Sequence, residues 1–286
     1  MTGYLIAGAA LVHATVLPLA WKWQLGILRV LLVVLAGSMI AAIVVAAFAH
    51  LVHFTEVTGT LVMWGSTLAG CLACLLIVFF RDPDRLAPHG DDFIVSPADG
   101  QIIYVREIQP GQIPVAEKKG RAYPIRELWE TQLADRGAVA VGISMNLSDV
   151  HVNRAPIGGR VALVRHVSGT FGSLRDPGMM FSNERVTTII DAGGLQVALV
   201  QIASRLVRRI VTFVSEGDAT HVGQRIGAIR FGSQVDLIVP AAVGLRLVVQ
   251  AGDRVVAGRT VMAIITSRPA GPDARRNPDA RRNSGP

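Results

Sequence analysis

The stretch Thr60-Leu-Val-Met-Trp-Gly-Ser-Thr-Leu-Ala-Gly-Cys-Leu-Ala-Cys-Leu-Leu-Ile-Val-Phe-Phe80, followed at once by Arg81-Asp-Pro-Asp-Arg85, decides how the chain is organised. Thr60–Phe80 carries no charged side chain and is about 20 residues long, the length a helix needs to cross about 30 Å of hydrocarbon. Upstream, Val30–Ala49 repeats the pattern. Leu5–Ala20 is a shorter apolar run, interrupted by His13 and Pro18, and reads either as a third span or as a re-entrant or interfacial segment. The chain holds 28 Lys and Arg and 21 Asp and Glu, yet only Lys22, Arg29 and Glu56 fall in its first 80 residues. An overall composition of 51% hydrophobic and 17% charged residues is therefore the average of two unlike parts. A soluble domain carries nearer a quarter charged residues. The sequence predicts a membrane anchor over 1–80, a water-soluble domain over 81–267 and a disordered tail over 268–286. This excludes a purely soluble enzyme and a collagen-like or wholly disordered chain, and two cysteines exclude a disulfide scaffold.

The flanks of the apolar runs set an orientation. Lys22 and Arg29 lie between the first and second runs, and Arg81 and Arg85 follow the third. The loop 50–59 has no Lys or Arg and contains Glu56. The positive-inside rule assigns both basic flanks, and with them the soluble domain, to the cytoplasm, whether two runs span or three. A cleavable signal peptide is disfavoured because no basic residue precedes the first run. Cys71 and Cys74 form a C-x-x-C inside the third run; we read them as two small residues on one helix rather than as a redox or metal pair.

Beyond residue 81 the chain breaks into short β-branched runs with turn signals about every ten residues. The predicted strands are Gln101–Val105, Ala138–Ile143, Arg160–Val167, Arg185–Asp191, Leu195–Gln201, Ile210–Val214, Val235–Ile238 and Arg246–Val249, with local helix only over Pro124–Leu133 and Ile202–Arg208. No β-α-β alternation appears, so the predicted fold is a set of N-terminal transmembrane helices followed by a mainly β (α+β), sandwich-like domain with few helices. The tail repeats Asp-Ala-Arg-Arg-Asn at 273–277 and 279–283. Its five Arg against two Asp supply much of the net charge of +7, so that charge indicates an anionic lipid surface or plain solvation rather than nucleic acid.

P-loop, dinucleotide-binding, nucleophile-elbow and zincin signatures are absent, and no metal-ligand spacing is present in the soluble domain. Four histidines are soluble, and His151 stands apart because it lies in the polar cluster Leu147-Ser-Asp-Val-His-Val-Asn-Arg-Ala-Pro156, after an apolar strand. Asp99 lies in the turn Ser96–Gly100, and a carboxylate can orient and charge-stabilise a histidine base, which can activate a hydroxyl. The hydroxyl candidate is Ser233, directly after Gly232 in Arg230-Phe-Gly-Ser-Gln-Val-Asp236. A hydroxyl following glycine can attack the preceding carbonyl, since the bare residue admits strained geometry and close approach. Gly-Ser is a common dipeptide and specifies nothing alone.

Together these stretches resemble the phosphatidylserine decarboxylase proenzymes of the shorter bacterial and archaeal type. The resemblance runs from Phe79 to Ile265 through Phe79-Phe-Arg-Asp-Pro83, Ile94-Val-Ser-Pro-Ala-Asp-Gly100, Asp149-Val-His-Val-Asn-Arg-Ala-Pro156, Ser182-Asn-Glu-Arg185, Val200-Gln-Ile-Ala203 and Arg225-Ile-Gly-Ala-Ile-Arg-Phe-Gly-Ser233. It implies that Asp99, His151 and Ser233 form a self-processing triad. Ser233 attacks the Gly232 carbonyl to give an ester, and β-elimination then frees a β chain, 1–232. The dehydroalanine left on the α chain, 233–286, hydrolyses with loss of ammonia to a pyruvoyl group. It further implies that this covalent cofactor forms a Schiff base with the amine of phosphatidylserine and takes up the electrons released with CO₂, giving phosphatidylethanolamine. His151 is then the candidate acid for reprotonation. No metal is implied, and a homo-oligomer is compatible with the pattern.

The chain departs from the family at Met145-Asn-Leu-Ser148, at Gly178-Met-Met-Phe-Ser182, at Gln234 after the processed serine, and at Arg154, where some members carry a second histidine. These departures bear on head-group or lipid selectivity more than on cleavage. Archaetidylserine or another aminophospholipid is the alternative substrate, and a non-catalytic membrane-anchored β-sandwich adaptor is the alternative class. Arg154, Arg185 and Arg230 are candidates for a phosphate or carboxylate contact, weighed against ordinary salt bridges.

Overall fold

A computed structural model describes residues 2–23, 25–49, 51–90, 92–118, 121–128, 132–168, 184–203, 210–229, 234–241 and 244–267. The chain separates into two compact units, Met1–Arg81 with Asn146–Asp149, and Asp82–Met145 with Val150–Pro286.

The first unit is built on three helices: α1 (Thr2–Lys22), α2 (Ile27–Phe48) and α3 (Glu56–Phe80). All three are long and apolar enough to cross a membrane, so the first run, expected as the shortest, extends to a full helix with Pro18 inside it. Proline at that point is compatible with neighbouring helices that compensate the lost hydrogen bond. Thr55 caps α3, its hydroxyl accepting from Thr58 N–H at 3.2 Å, and Glu56 sits in the first turn, where a negative charge suits the helix dipole. The helices meet through small residues. Tyr4 is buried with Ala41, Val45 and Met63, and its ring lies edge-on to Phe54 at 6.5 Å. A Cβ added to Gly59 would come within 2.6 Å of the Tyr4 ring, so the glycine is what lets α1 and α3 close. Outward, Ile6, Leu28, Met39, Ile43 and Ile77 are exposed, a distribution water would penalise and lipid would not. Cys71 and Cys74 are both free.

The second unit is mostly β. Its strands are β1 (Phe93–Val95), β2 (Gly100–Ile108), β3 (Val115–Lys118), β4 (Arg121–Pro124), β5 (Ala138–Ser144), β6 (Val152–Arg154), β7 (Gly159–Val167), β8 (Arg185–Asp191), β9 (Gln196–Ile202), β10 (Ile210–Thr212), β11 (Ala219–Thr220), β12 (Arg225–Ile229), β13 (Gln234–Pro240), β14 (Gly244–Leu247), β15 (Arg254–Val255) and β16 (Val261–Ser267). A sheet of order β11-β7-β8-β9-β13-β5-β2-β15 carries the fold, joined by β1-β16-β14, β10-β12-β6 and the β3-β4 hairpin. Every pairing among the described strands is antiparallel.

The centre of the large sheet is buried on both faces. Alternate residues of one strand point to opposite faces. Accordingly Val141 and Ile143 of β5, Val197 and Leu199 of β9, and Val235, Leu237 and Val239 of β13 enter one core. Their neighbours Ala138, Ala140, Ala198, Val200 and Ile238 enter a second. The first core is shared with Ile94, Ile210, Ile226 and Ala263 of the two smaller sheets. The second is covered by Ile125, Leu128 and Leu133, which lie in or beside a 3-10 turn (Arg126–Leu128) and the short helix α4 (Gln132–Asp135). Burial on both faces explains why these strands read as near-continuous apolar runs.

The eight predicted strands all occur, and β14 begins and ends two residues earlier than its prediction. The helix predicted over 124–133 is reduced to the 3-10 turn and α4 in its described part. Of that predicted over 202–208, Ile202 belongs to β9 and 204–208 lie outside the described residues, as does the tail.

Replacing Gly59 by Ala should lower the thermal midpoint of the detergent-solubilised protein, at a cost of about 1–3 kcal/mol, because the methyl group overpacks the Tyr4 ring. Gly65→Ala, where nothing lies within 4 Å, should leave it unchanged or raise it.

Candidate active site

The turn Ser96–Gly100 is held from several sides. Ser96 N–H donates to the Thr260 carbonyl at 2.8 Å, its carbonyl accepts from Gly258 N–H at 2.7 Å, and its hydroxyl donates to the Ala98 carbonyl at 2.7 Å. Arg154 N–H reaches the Pro97 carbonyl at 2.9 Å. Gly100 closes the turn at φ +152, where a Cβ would stand 2.2 Å from the Ser144 carbonyl oxygen. Only glycine fits there.

These contacts fix the carboxylate of Asp99, which is largely buried. The Arg85 guanidinium donates to both of its oxygens, Nη1 to Oδ1 at 2.5 Å and Nη2 to Oδ2 at 2.8 Å. Ala257 N–H donates to Oδ1 at 2.8 Å and Val150 N–H to Oδ2 at 3.4 Å. A bidentate guanidinium supplemented by amides is the arrangement that makes a buried charge tolerable. The Val150 contact sets Asp99 one residue from His151.

His151 is buried, 4% exposed, at the entry to β6. Its carbonyl accepts from Ile229 N–H at 3.0 Å, which ties it to the last residue of β12. The chain then passes from β12, in the sheet β10-β12-β6, to β13, in the middle of the eight-stranded sheet. Gly232 and Ser233 fall in that connection, and both lie outside the described residues, as does Arg230. Their flanks are described: Ile229 is bonded to His151, and Gln234, 2% exposed, pairs with Ser144 of β5 and Ile202 of β9. The fold thus gathers Asp99, His151 and one flank of the Gly-Ser step through backbone bonds. A carbonyl group made from Ser233 would be attached through the nitrogen of Gln234, and a residue paired on both sides in a sheet centre suits that attachment.

Arg154 takes a structural place. It is 3% exposed, donating to the Gly223 carbonyl at 2.9 Å, the Pro83 carbonyl at 2.9 Å and Asp82 at 3.2 Å, and burial pushes its guanidinium pKa down. Asp82 also accepts from Arg225 at 2.5 Å, and Arg225 reaches Asp84 at 2.7 Å, which holds the Asp84 carboxyl below the usual range. The short segment Asp82–Arg85 therefore carries three ion-pairing side chains that clasp β6, β12 and the Asp99 turn. Glu184 accepts from His166 at 2.8 Å and from Ile210 N–H at 3.4 Å, and Gln201 donates to Asn153 at 2.8 Å, so the Ser182–Arg185 and Val200–Ala203 stretches also contain structural polar contacts. Sequence reading missed Arg85 as the partner of Asp99. The available signal was an Asp in a Pro/Gly turn ahead of an apolar strand, which needs a cation if the turn is buried.

With this geometry in view, comparison with known proteins places the chain among carboxy-lyases. The phosphatidylserine decarboxylase family profile matches residues 72–263. A protein of Methanocaldococcus jannaschii named "Putative archaetidylserine decarboxylase proenzyme" is 39% identical over 198 residues, covering 69% of this chain and 93% of its own. The phosphatidylserine decarboxylase proenzyme of Erythrobacter litoralis is 41% identical over 194 residues, covering 67% and 74%. That of Symbiobacterium thermophilum is 36% identical over 229 residues, covering 79% and 90%. The chain belongs to the phosphatidylserine decarboxylase family.

Arg85→Leu should destabilise the protein by roughly 3–5 kcal/mol in denaturant unfolding, because it strands the Asp99 carboxylate. The double replacement Arg85→Leu with Asp99→Leu should recover most of that loss, and Arg85→Lys should fall between, having charge without the fork.

Proposed function

We propose that the chain is a membrane-anchored proenzyme that cleaves itself between Gly232 and Ser233 and then decarboxylates phosphatidylserine to phosphatidylethanolamine. The observation that carries this is the convergence of the Asp99 turn and the His151 loop on the end of β12, four residues before Ser233. Membership of a family whose relatives are named as proenzymes supports it. In this reading His151 takes the Ser233 hydroxyl proton as the oxygen bonds to the Gly232 carbonyl carbon. The peptide C–N bond breaks, the Ser233 nitrogen takes up a proton, and an ester joins the two parts. Loss of the Ser233 α-proton then expels the Gly232 carboxylate. Asp99, held by Arg85, fixes the Val150–His151 backbone and supports the base.

A pyruvoyl carbonyl derived from Ser233 would supply the electron sink for decarboxylation. Gln234 would hold it through the backbone of β13, and His151 would deliver the proton that replaces CO₂. The β chain, 1–232, would keep β5 and β9, and the α chain, 233–286, would keep β13 between them, so the cut chains stay interleaved. The three helices would span the membrane with the β unit on the cytoplasmic side, since the basic residues flank the runs there. The β unit would be a sandwich-like domain. Its substrate would arrive from the same leaflet, and an archaetidylserine substrate is the second reading, favoured by the archaeal relative.

Ser233→Ala should remain a single full-length band on a denaturing gel and lack decarboxylase activity, whereas the wild type resolves into two chains. Two fragments from Ser233→Ala would refute self-processing by this residue. Asp99→Asn and His151→Ala should each slow the appearance of the α chain, by about 10²-fold or more for the general base, in a time course after cell-free synthesis.

A further inference from the structure

Strands β2, β3 and β13 carry, across β5, a closed hydrogen-bonded ring that the reaction described so far does not use. Tyr104 of β2, Gly142 of β5 and Asp236 of β13 lie side by side in one cross-strand row. Gly142 has no side chain, and a Cβ there would stand 2.4 Å from the Tyr104 ring. The ring therefore lies across β5 and its hydroxyl reaches Asp236 Oδ2, two strands away, at 2.5 Å. Asp236 Oδ1 accepts from the Gln234 side-chain amide at 2.8 Å. The same amide donates to the Glu117 carbonyl at 2.7 Å, and Glu117 N–H returns to the Tyr104 hydroxyl at 3.1 Å. The circuit Gln234–Asp236–Tyr104–Glu117 is thus complete. Asp236 is 0% exposed and Gln234 2%. Burial and the Asp236 charge push the Tyr104 hydroxyl pKa far up, so it stays a proton donor. Arg106 ion-pairs with the Glu117 side chain and lies over the Tyr104 ring at 5.3 Å, closing the outer side.

Burying a carboxylate in a strand otherwise reading Val-x-Leu-Ile-Val is costly unless every lone pair is used. An apolar residue would serve the core as well. What the ring does in addition is grip the side chain of Gln234, the residue bonded to Ser233. We propose that Tyr104 and Asp236 are positioning residues for the self-cleaving and decarboxylating centre: through Gln234 they fix the register of the chain immediately after Ser233. In the uncut chain that register fixes the backbone nitrogen to which Ser233 is joined. In the cut chain it anchors the new end of the α chain, which no longer has a covalent neighbour on its other side. Small errors in such placement are expensive, because near-attack geometry is lost within about 1 Å. The inference rests on the proposed self-processing at Ser233.

The test uses the full-length chain in detergent, comparing wild type, Tyr104→Phe and Asp236→Asn. The first keeps the aromatic ring over Gly142 and removes one hydroxyl; the second keeps the shape of the side chain. Each should release the α chain about tenfold more slowly, the loss expected for one hydrogen bond to a charged group. The fraction that matures should show kcat reduced to a similar extent with KM for phosphatidylserine unchanged. Thermal unfolding is recorded alongside. A variant too unstable to purify is replaced by Gln234→Met, which leaves the Tyr104–Asp236 bond in place and should slow cleavage equally. Cleavage and kcat within twofold of wild type, or a raised KM with kcat intact, would overturn the role of the ring while leaving self-processing standing. A wild-type chain that never splits would instead overturn the self-processing reading, and this inference with it.

Discussion

Strand β13 sits between β5 and β9 at the centre of the largest sheet, buried on both faces, and its first residue adjoins the candidate Gly232–Ser233 step. Gln234 opens that strand and is paired with Ser144 on one side and Ile202 on the other. The preceding strand, β12, belongs to a different sheet and ends at Ile229. Each flank is held by its own neighbours, β12 by β6 and β10, and β13 by β5 and β9. Under the proposed self-cleavage, a break at 232/233 would leave β12 and β13 each with its own partner strands.

Several buried polar side chains among the described residues of this unit are paired with one another. Arg85 with Asp99, Arg154 with Asp82, Gln201 with Asn153, and Tyr104 with Asp236 each satisfy a buried group that would otherwise be expensive. Their distribution is uneven. The Arg85–Asp99 and Arg154–Asp82 pairs fasten Asp82–Arg85 to the turn that holds Asp99, and the Tyr104 circuit grips Gln234. The first two thus lie at the Asp99 turn beside the His151 loop and the third at Gln234, whereas the opposite edge of the large sheet, β11 and β7, relies on backbone pairing and exposed contacts such as Arg160 to Gly217.

Much of this was legible in the residues. Uncharged runs announce helices directly, and β-branched segments between Gly and Pro announce strands, so α2, α3 and eight of the strands could be named in advance, while the run of α1, broken by His13 and Pro18, read equally as a span or an interfacial segment. The short strands β1, β6, β11 and β15 could not. They hold only two or three residues and exist because longer strands offer them an edge. Of the helix expected over 124–133, the described part is a strand end at Pro124, a 3-10 turn and the start of α4, and Ile125, Leu128 and Leu133, whose spacing suggested a helix face, cover the second core. At the site, Asp99 and His151 were legible because polar residues cluster in turns after apolar strands. Arg85 was not, since it is distant from Asp99 in sequence and looked like a membrane-flanking charge. Tyr104 and Asp236 were hidden for the opposite reason: each is a lone polar residue in a strand, and only the bare Gly142 between them makes the pair.

The intact mass of the purified full-length protein tests the central claim most directly. The account predicts two species, a β chain ending at Gly232 and an α chain of residues 233–286 lighter by one ammonia than the same fragment with an intact amino-terminal serine. A single species at the mass of the unbroken 286-residue chain, in a preparation that decarboxylates phosphatidylserine, would contradict it.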